Sequence, residues 1–122
     1  MKNISLIFLI YCLITSCIPE TLPENRLHHV ILVWFKNSTP ELINKITSET
    51  QNLKKIEQVR SIHLGKAVPS ARKIVDSSFD LGIVMTFDNE TDMNIYLKNK
   101  IHLEFVKNFI EGQVRKIVIY DF

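Results

Sequence analysis

Four histidines, His28, His29, His63 and His102, and one tyrosine, Tyr96, are the side chains here best suited to proton-transfer chemistry. An imidazole titrates near neutral pH and can take a proton from a carbon beside a carbonyl. A phenol can stabilise the oxyanion that develops. The histidines lack a short chelating spacing and no carboxylate pair joins them, so no metal site is expected. The sequence has no glycine-rich phosphate loop, no Ser-His-Asp arrangement and no nicotinamide or flavin motif, so no cofactor is expected either. Taken alone, His102 reads as a brace between two helical segments, hydrogen-bonded to backbone. His29 reads as a strand histidine at a pocket edge, and His28 and His63 as facing solvent or a second copy of the chain.

The strand that must carry His29 organises the chain. Residues 28–36 alternate with His29, Ile31, Val33 and Phe35 on one side and Val30, Leu32 and Trp34 on the other, apolar on both. Such a strand has to be covered twice, and a chain this short supplies one layer of helices. A second copy of the sheet is the simplest cover for the other face.

Downstream, Ser38 or Thr39 with Pro40 and Glu41 opens a helix carrying Leu42, Ile43, Ile46, Leu53 and Ile56, ending near Lys54 and Lys55. Residues 59–66 predict a strand nearer an edge, and 67–78 a loop in which Asp76 can pair with Arg72 or Lys73. Residues 79–87 predict a third strand with Leu81, Ile83, Met85 and Phe87 on one face. Asp88, Asn89 and Glu90 cap a helix to about Leu97. Asn99 and Lys100 then interrupt the apolar pattern, which Ile101, Phe105, Val106, Phe109 and Ile110 resume as far as Gly112. Residues 114–122 are the last strand, giving the order β-α-β-β-α-β. Trp34 reads as a core aromatic.

The N-terminus has a different character. Lys2 precedes an apolar run over 4–14 broken only by Ser5, too short for the roughly 20 residues that span a bilayer. Ile14-Thr15-Ser16-Cys17 follows, in the pattern of a bacterial lipobox. Residues 1–16 are therefore expected to be a lipoprotein signal peptide, Cys17 the lipidated first mature residue, 17–26 an extended tether and 27–122 the folded domain. Cys12 leaves with the signal and Cys17 is consumed by lipid, so no thiol remains for a disulfide or a nucleophile. Loss of Lys2 leaves 14 of the 15 basic side chains against 13 acidic ones, no footprint for nucleic acid. The expected location is exported and lipid-anchored to the bacterial envelope, the outer membrane where two membranes exist, because Ile18 rather than Asp follows Cys17.

Residues 29–122 resemble the stress-responsive A/B barrel family. The resemblance rests on His29-Val30-Ile31-Leu32 with Phe35-Lys36, on Val59-Arg60-Ser61 leading to Leu64-Gly65-Lys66, and on Val75-Asp76-Ser77-Ser78-Phe79-Asp80 running into Val84-Met85-Thr86-Phe87-Asp88. Tyr96 with His102 and Phe105-Val106 follows, then Val118-Ile119-Tyr120-Asp121. It implies an α+β, ferredoxin-like domain with a four-stranded antiparallel sheet that closes a dimeric α/β barrel as a homodimer. In family members that act as polyketide cyclases, a tyrosine and a histidine six residues later work as acid and base, with a strand histidine near the same cavity. Those positions correspond to Tyr96, His102 and His29, which makes Tyr96 and His102 the catalytic candidates and His29, Phe35 and Phe105 the ligand-binding ones. Where the family often has His-Pro, this chain has Asn99-Lys100. Three functions follow, in this order: a membrane-tethered module binding a small hydrophobic or aromatic molecule, a cyclase-like or isomerase-like enzyme, and a structural or interaction lipoprotein.

Overall fold

The computed structural model describes residues 25–122. The proposed signal peptide, Cys17 and all but the end of the tether lie outside the described residues. The domain runs β1 (Leu27–Phe35), α1 (Pro40–Gln51), β2 (Ser61–Gly65), β3 (Leu81–Phe87), α2 (Glu90–Lys98), α3 (Lys100–Phe105) and β4 (Val114–Asp121). The four strands form one antiparallel sheet in the order β2-β3-β1-β4. The sequence-predicted fold class, α+β with a βαββαβ order, is what the chain adopts.

Strand β1 is central, and its alternation sorts the molecule into two faces. Val33 and Phe35 are buried with Leu81, Ile83, Met85 and Phe87 of β3 beneath the helices. Helix α1 starts where Thr39 Oγ1 accepts the Leu42 amide at 3.2 Å and Pro40 occupies the first turn. It turns Ile43 and Ile46 inward, then tightens into a 3₁₀ turn over Asn52–Lys55 that buries Leu53. Of the polar residues between these anchors only Thr50 is buried, its hydroxyl donating to the Ile46 carbonyl at 2.7 Å, and the rest lie on the outer side of a surface helix. Each fully buried aliphatic or aromatic chain contributes about 1.5–3 kcal/mol.

Among the described residues no helix covers the other sheet face. Val30, Leu32, Val84 and Val118 lie on it partly exposed, and His63 is exposed. Trp34 is buried, as expected of a core aromatic, and it lies on this face, outside the cluster beneath the helices. The loop between β2 and β3 comes over it. The indole Nε1 donates to Ser78 Oγ at 3.0 Å, Phe79 packs edge-on at 6.4 Å between centroids, and Lys116 Nζ lies 4.3 Å above the ring. Asp76 pairs with neither Arg72 nor Lys73. Its Oδ1 accepts the Ser78 amide at 2.9 Å, and the hydrogen bonds from Ser78 hold its carboxyl below the usual range. A short turn within the loop satisfies the carboxylate before a long cation can reach it.

At the end of β1 the register with β4 shifts between Trp34 and Phe35. There the Phe35 amide donates to Asp80 Oδ2 at 2.7 Å. Asp80→Ala orphans that part-buried N–H and is expected to cost about 1–3 kcal/mol in urea denaturation. Asp76→Ala, whose partner amide is exposed, is expected to cost less. Equal costs for the two variants would contradict the bridging role of Asp80.

Candidate functional site

The site forms where the start of β1 meets the end of β4. In antiparallel register His29 stands opposite Asp121, on the helix-covered face. The His29 side chain is almost wholly buried, that of Asp121 is 42% exposed, and Nδ1 and Oδ1 lie 2.5 Å apart. A carboxylate only accepts, so Nδ1 carries the proton in this bond and Nε2 is the ring nitrogen left to other partners.

Helix α2 brings in the tyrosine. Asn89 Oδ1 accepts the Asp92 amide at 2.9 Å and starts the helix, which turns Met93 and Tyr96 inward on one face. Tyr96 is buried and its hydroxyl donates to Met85 Sδ at 3.4 Å. Burial pushes its phenol far above the ordinary tyrosine value, so it stays protonated. Its ring lies 6.4 Å from that of His29 and 5.0 Å from that of Phe87, centroid to centroid.

The chain then breaks at Asn99, which is extended at φ −67°, ψ 138° and closes α2 while capping α3. Its side chain accepts the Ile101 amide at 2.9 Å. Lys100 stands outward beside Glu104 at 3.6 Å. This restart turns His102 back under α2, 4.5 Å from the Tyr96 ring, with Nδ1 donating to the Leu97 carbonyl at 3.1 Å. His102 thus braces the helix junction and faces the tyrosine at once. The Asn99-Lys100 break brings His102 to Tyr96. Burial lowers the His102 pKa from its ordinary value. The Leu97 hydrogen bond opposes that effect and nearby His29 adds to it.

Beyond α3 the helix widens into a π turn over Val106–Ile110, rather than continuing regularly toward Gly112. Between this turn, Tyr96 and the sheet lies a cavity of about 230 Å³. Its lining includes His29, Met85, Tyr96, His102, Phe105 and Ile119, and every lining residue apart from His29, Thr50, Tyr96 and His102 is apolar. Ile117 and Ile119 line it yet remain 44% and 48% exposed, so the mouth lies along the outer strand β4. The structure therefore brings together four of the five candidates. Phe35 is buried but lies outside the lining, because six residues of strand carry it about 20 Å from His29. Asp121 is the residue that sequence reasoning missed as a site group. The available signal was an acid closing the alternation Ile117, Ile119, Asp121 on the face that carries His29. Among the described residues no group of three His, Cys, Asp or Glu side chains is placed to hold a metal ion.

The model of the stress responsive A/B barrel domain matches residues 27–122. The chain belongs to that family. Solved structures agree with the A/B barrel fold. One from Arabidopsis thaliana is 26% identical with a TM-score of 0.70, over 79% of this chain and 92% of that one. The hydroxynitrile lyase of Passiflora edulis is 20% identical with a TM-score of 0.71, over 82% and 94%. A dimeric ferredoxin-like protein of Thermobifida fusca is 16% identical with a TM-score of 0.66, over 84% and 94%. No protein of curated function matches the sequence.

The lowered His102 pKa of this A/B barrel domain sets a pH dependence of stability. The unfolded ring protonates near pH 6.5, before the folded one does, so its contribution is present above that pH and is lost as the pH falls through the folded value. The wild-type melting temperature is expected to drop between about pH 7.5 and about pH 5 by more than that of His102→Leu. Parallel curves for the two proteins would argue against a buried neutral ring.

Proposed function

We propose that this A/B barrel domain binds a small, largely apolar molecule in the cavity beneath α2 and the π turn. The apolar lining, interrupted by two imidazoles and a phenol, is the observation that carries the reading. At about 230 Å³ it falls below the roughly 300–1,000 Å³ of pockets for drug-sized ligands, which points to an occupant of single-ring size. With Nδ1 of both histidines engaged and the Thr50 hydroxyl donating to the Ile46 carbonyl, the polar complement left to a ligand is the two Nε2 positions, the Thr50 oxygen and the Tyr96 hydroxyl, held only by a weak sulfur acceptor. That set suits a neutral molecule with a hydroxyl group.

The functional unit in this reading is a homodimer, with a second copy over Val30, Leu32 and Val84. The partly exposed apolar residues of that face support it, as do neighbours of the same fold, from Thermobifida fusca and Jannaschia, described as dimeric. Its N-terminus is a lipid anchor on Cys17 that holds the domain at the bacterial envelope, the outer membrane where two membranes are present. The lipobox pattern over 14–17 supports that part. Cys17→Ser is expected to release a soluble form or to block processing; unchanged membrane association and mobility would remove the anchor.

A second reading is an enzyme with His102 as base and Tyr96 as acid or oxyanion donor, favoured by the contact of the two rings. The Passiflora lyase illustrates an enzyme on this fold. Native mass spectrometry of the full chain, extracted from the source cell's envelope and gently activated, tests the binding reading. A dimer releasing a defined small molecule is the expected result. An empty dimer would shift the function to protein interaction, and a monomer would undo the two-sheet arrangement.

A further inference from the structure

The two imidazoles at the cavity are held differently. His102 donates its Nδ1 proton to a backbone carbonyl at 3.1 Å, a dipole. His29 donates to a carboxylate oxygen at 2.5 Å, a full charge. A charge-assisted bond is the stronger kind, and a carboxylate behind Nδ1 stabilises the imidazolium that forms when Nε2 takes a second proton. The charged or titratable side chains around the His29 ring are Asp121 from β4, Tyr96 from α2 and His102 from α3. Among the described residues Asp121 is the one carboxylate of this set. Tyr96, held protonated in the core with its hydroxyl on Met85, is a donor rather than a competing base. The pairing is built into the sheet, since the same register that joins β1 to β4 sets Asp121 opposite His29.

We propose that His29, oriented through Nδ1 by Asp121, is the proton acceptor of this cavity and takes the proton of an acidic hydroxyl on the bound molecule. The ligand O–H bond breaks, its electron pair stays on oxygen, and an N–H bond forms at Nε2. The product is a phenolate or enolate beside an imidazolium backed by the Asp121 carboxylate. The proton returns by the same path on release. Asp121 is a positioning residue and His29 the group that meets the ligand; the base is thereby moved from α3 to β1. The proposal rests on the reading of the cavity as a binding site.

The test uses the full-length chain and 4-nitrophenol, a single-ring probe whose phenolate is yellow, at a pH where the free probe is un-ionised. Calorimetry reads binding and the phenolate band reads proton transfer. Wild type is expected to bind the probe and ionise it. Asp121→Asn, nearly isosteric at the exposed end of β4, is expected to bind it with similar affinity and to show at least roughly tenfold less bound phenolate. Asp121→Glu should recover part of the band, and Asp76→Asn, a loop carboxylate elsewhere, should leave it intact. Nitrogen NMR checks the bond itself, since in Asp121→Ala the His29 ring should lose its single Nδ1–H tautomer, while the phenolate band is the readout that a merely structural bond would not move. Binding without ionisation in wild type, or full ionisation in Asp121→Asn, would overturn the proposal. No binding at all would remove the cavity reading, and the proposal with it.

Discussion

The antiparallel register of β1 between β3 and β4 is the constraint on which everything else depends. Side chains alternate with a period of two, so a slip of one residue would send His29, Val33 and Phe35 to the face without helices and Val30, Leu32 and Trp34 into the core. The apolar set on the helix side makes that slip costly, because Val33 and Phe35 belong to the same buried cluster as Ile83 and Met85. The pairing of His29 with Asp121 is a by-product of this register. No loop has to be shaped to bring the two side chains together.

The helical half of the site is assembled on another principle. The break at Asn99 separates α2 from α3 and lets each present its own inward face. Tyr96 and His102 meet because the chain changes direction between them, and the bond from His102 to the Leu97 carbonyl seals the corner. The π turn over Val106–Ile110 then leaves the space under Tyr96 unfilled. A regular helix would carry Phe109 and Ile110 around by a different angle.

Much of this was legible in the sequence because it rests on local pattern. Alternation locates the first three strands, Thr39 with Pro40 and Asn89 mark the helix starts, and Asn99 with Lys100 marks the break. What stayed hidden depends on pairs distant in the chain. Asp121 lies 92 residues from His29, and only the strand order makes them neighbours. The burial of Trp34 is legible in its type, but that Ser78 and Phe79 of a loop cover it is not, because hydrophobicity gives no sign of which face a loop will cross. Phe35 was grouped with His29 by its shared face, which disregards the distance along a strand.

The cover over Trp34 has an optical consequence. Trp34 is the one tryptophan of the chain, and it lies on the sheet face away from the cavity, under Ser78 and Phe79 with Lys116 above its ring. Its emission therefore reports on the seating of the loop between β2 and β3, and on whatever lies against that face. The molecule carries a natural lamp for the assembly of its sheet, shaded from the pocket where its ligand would sit.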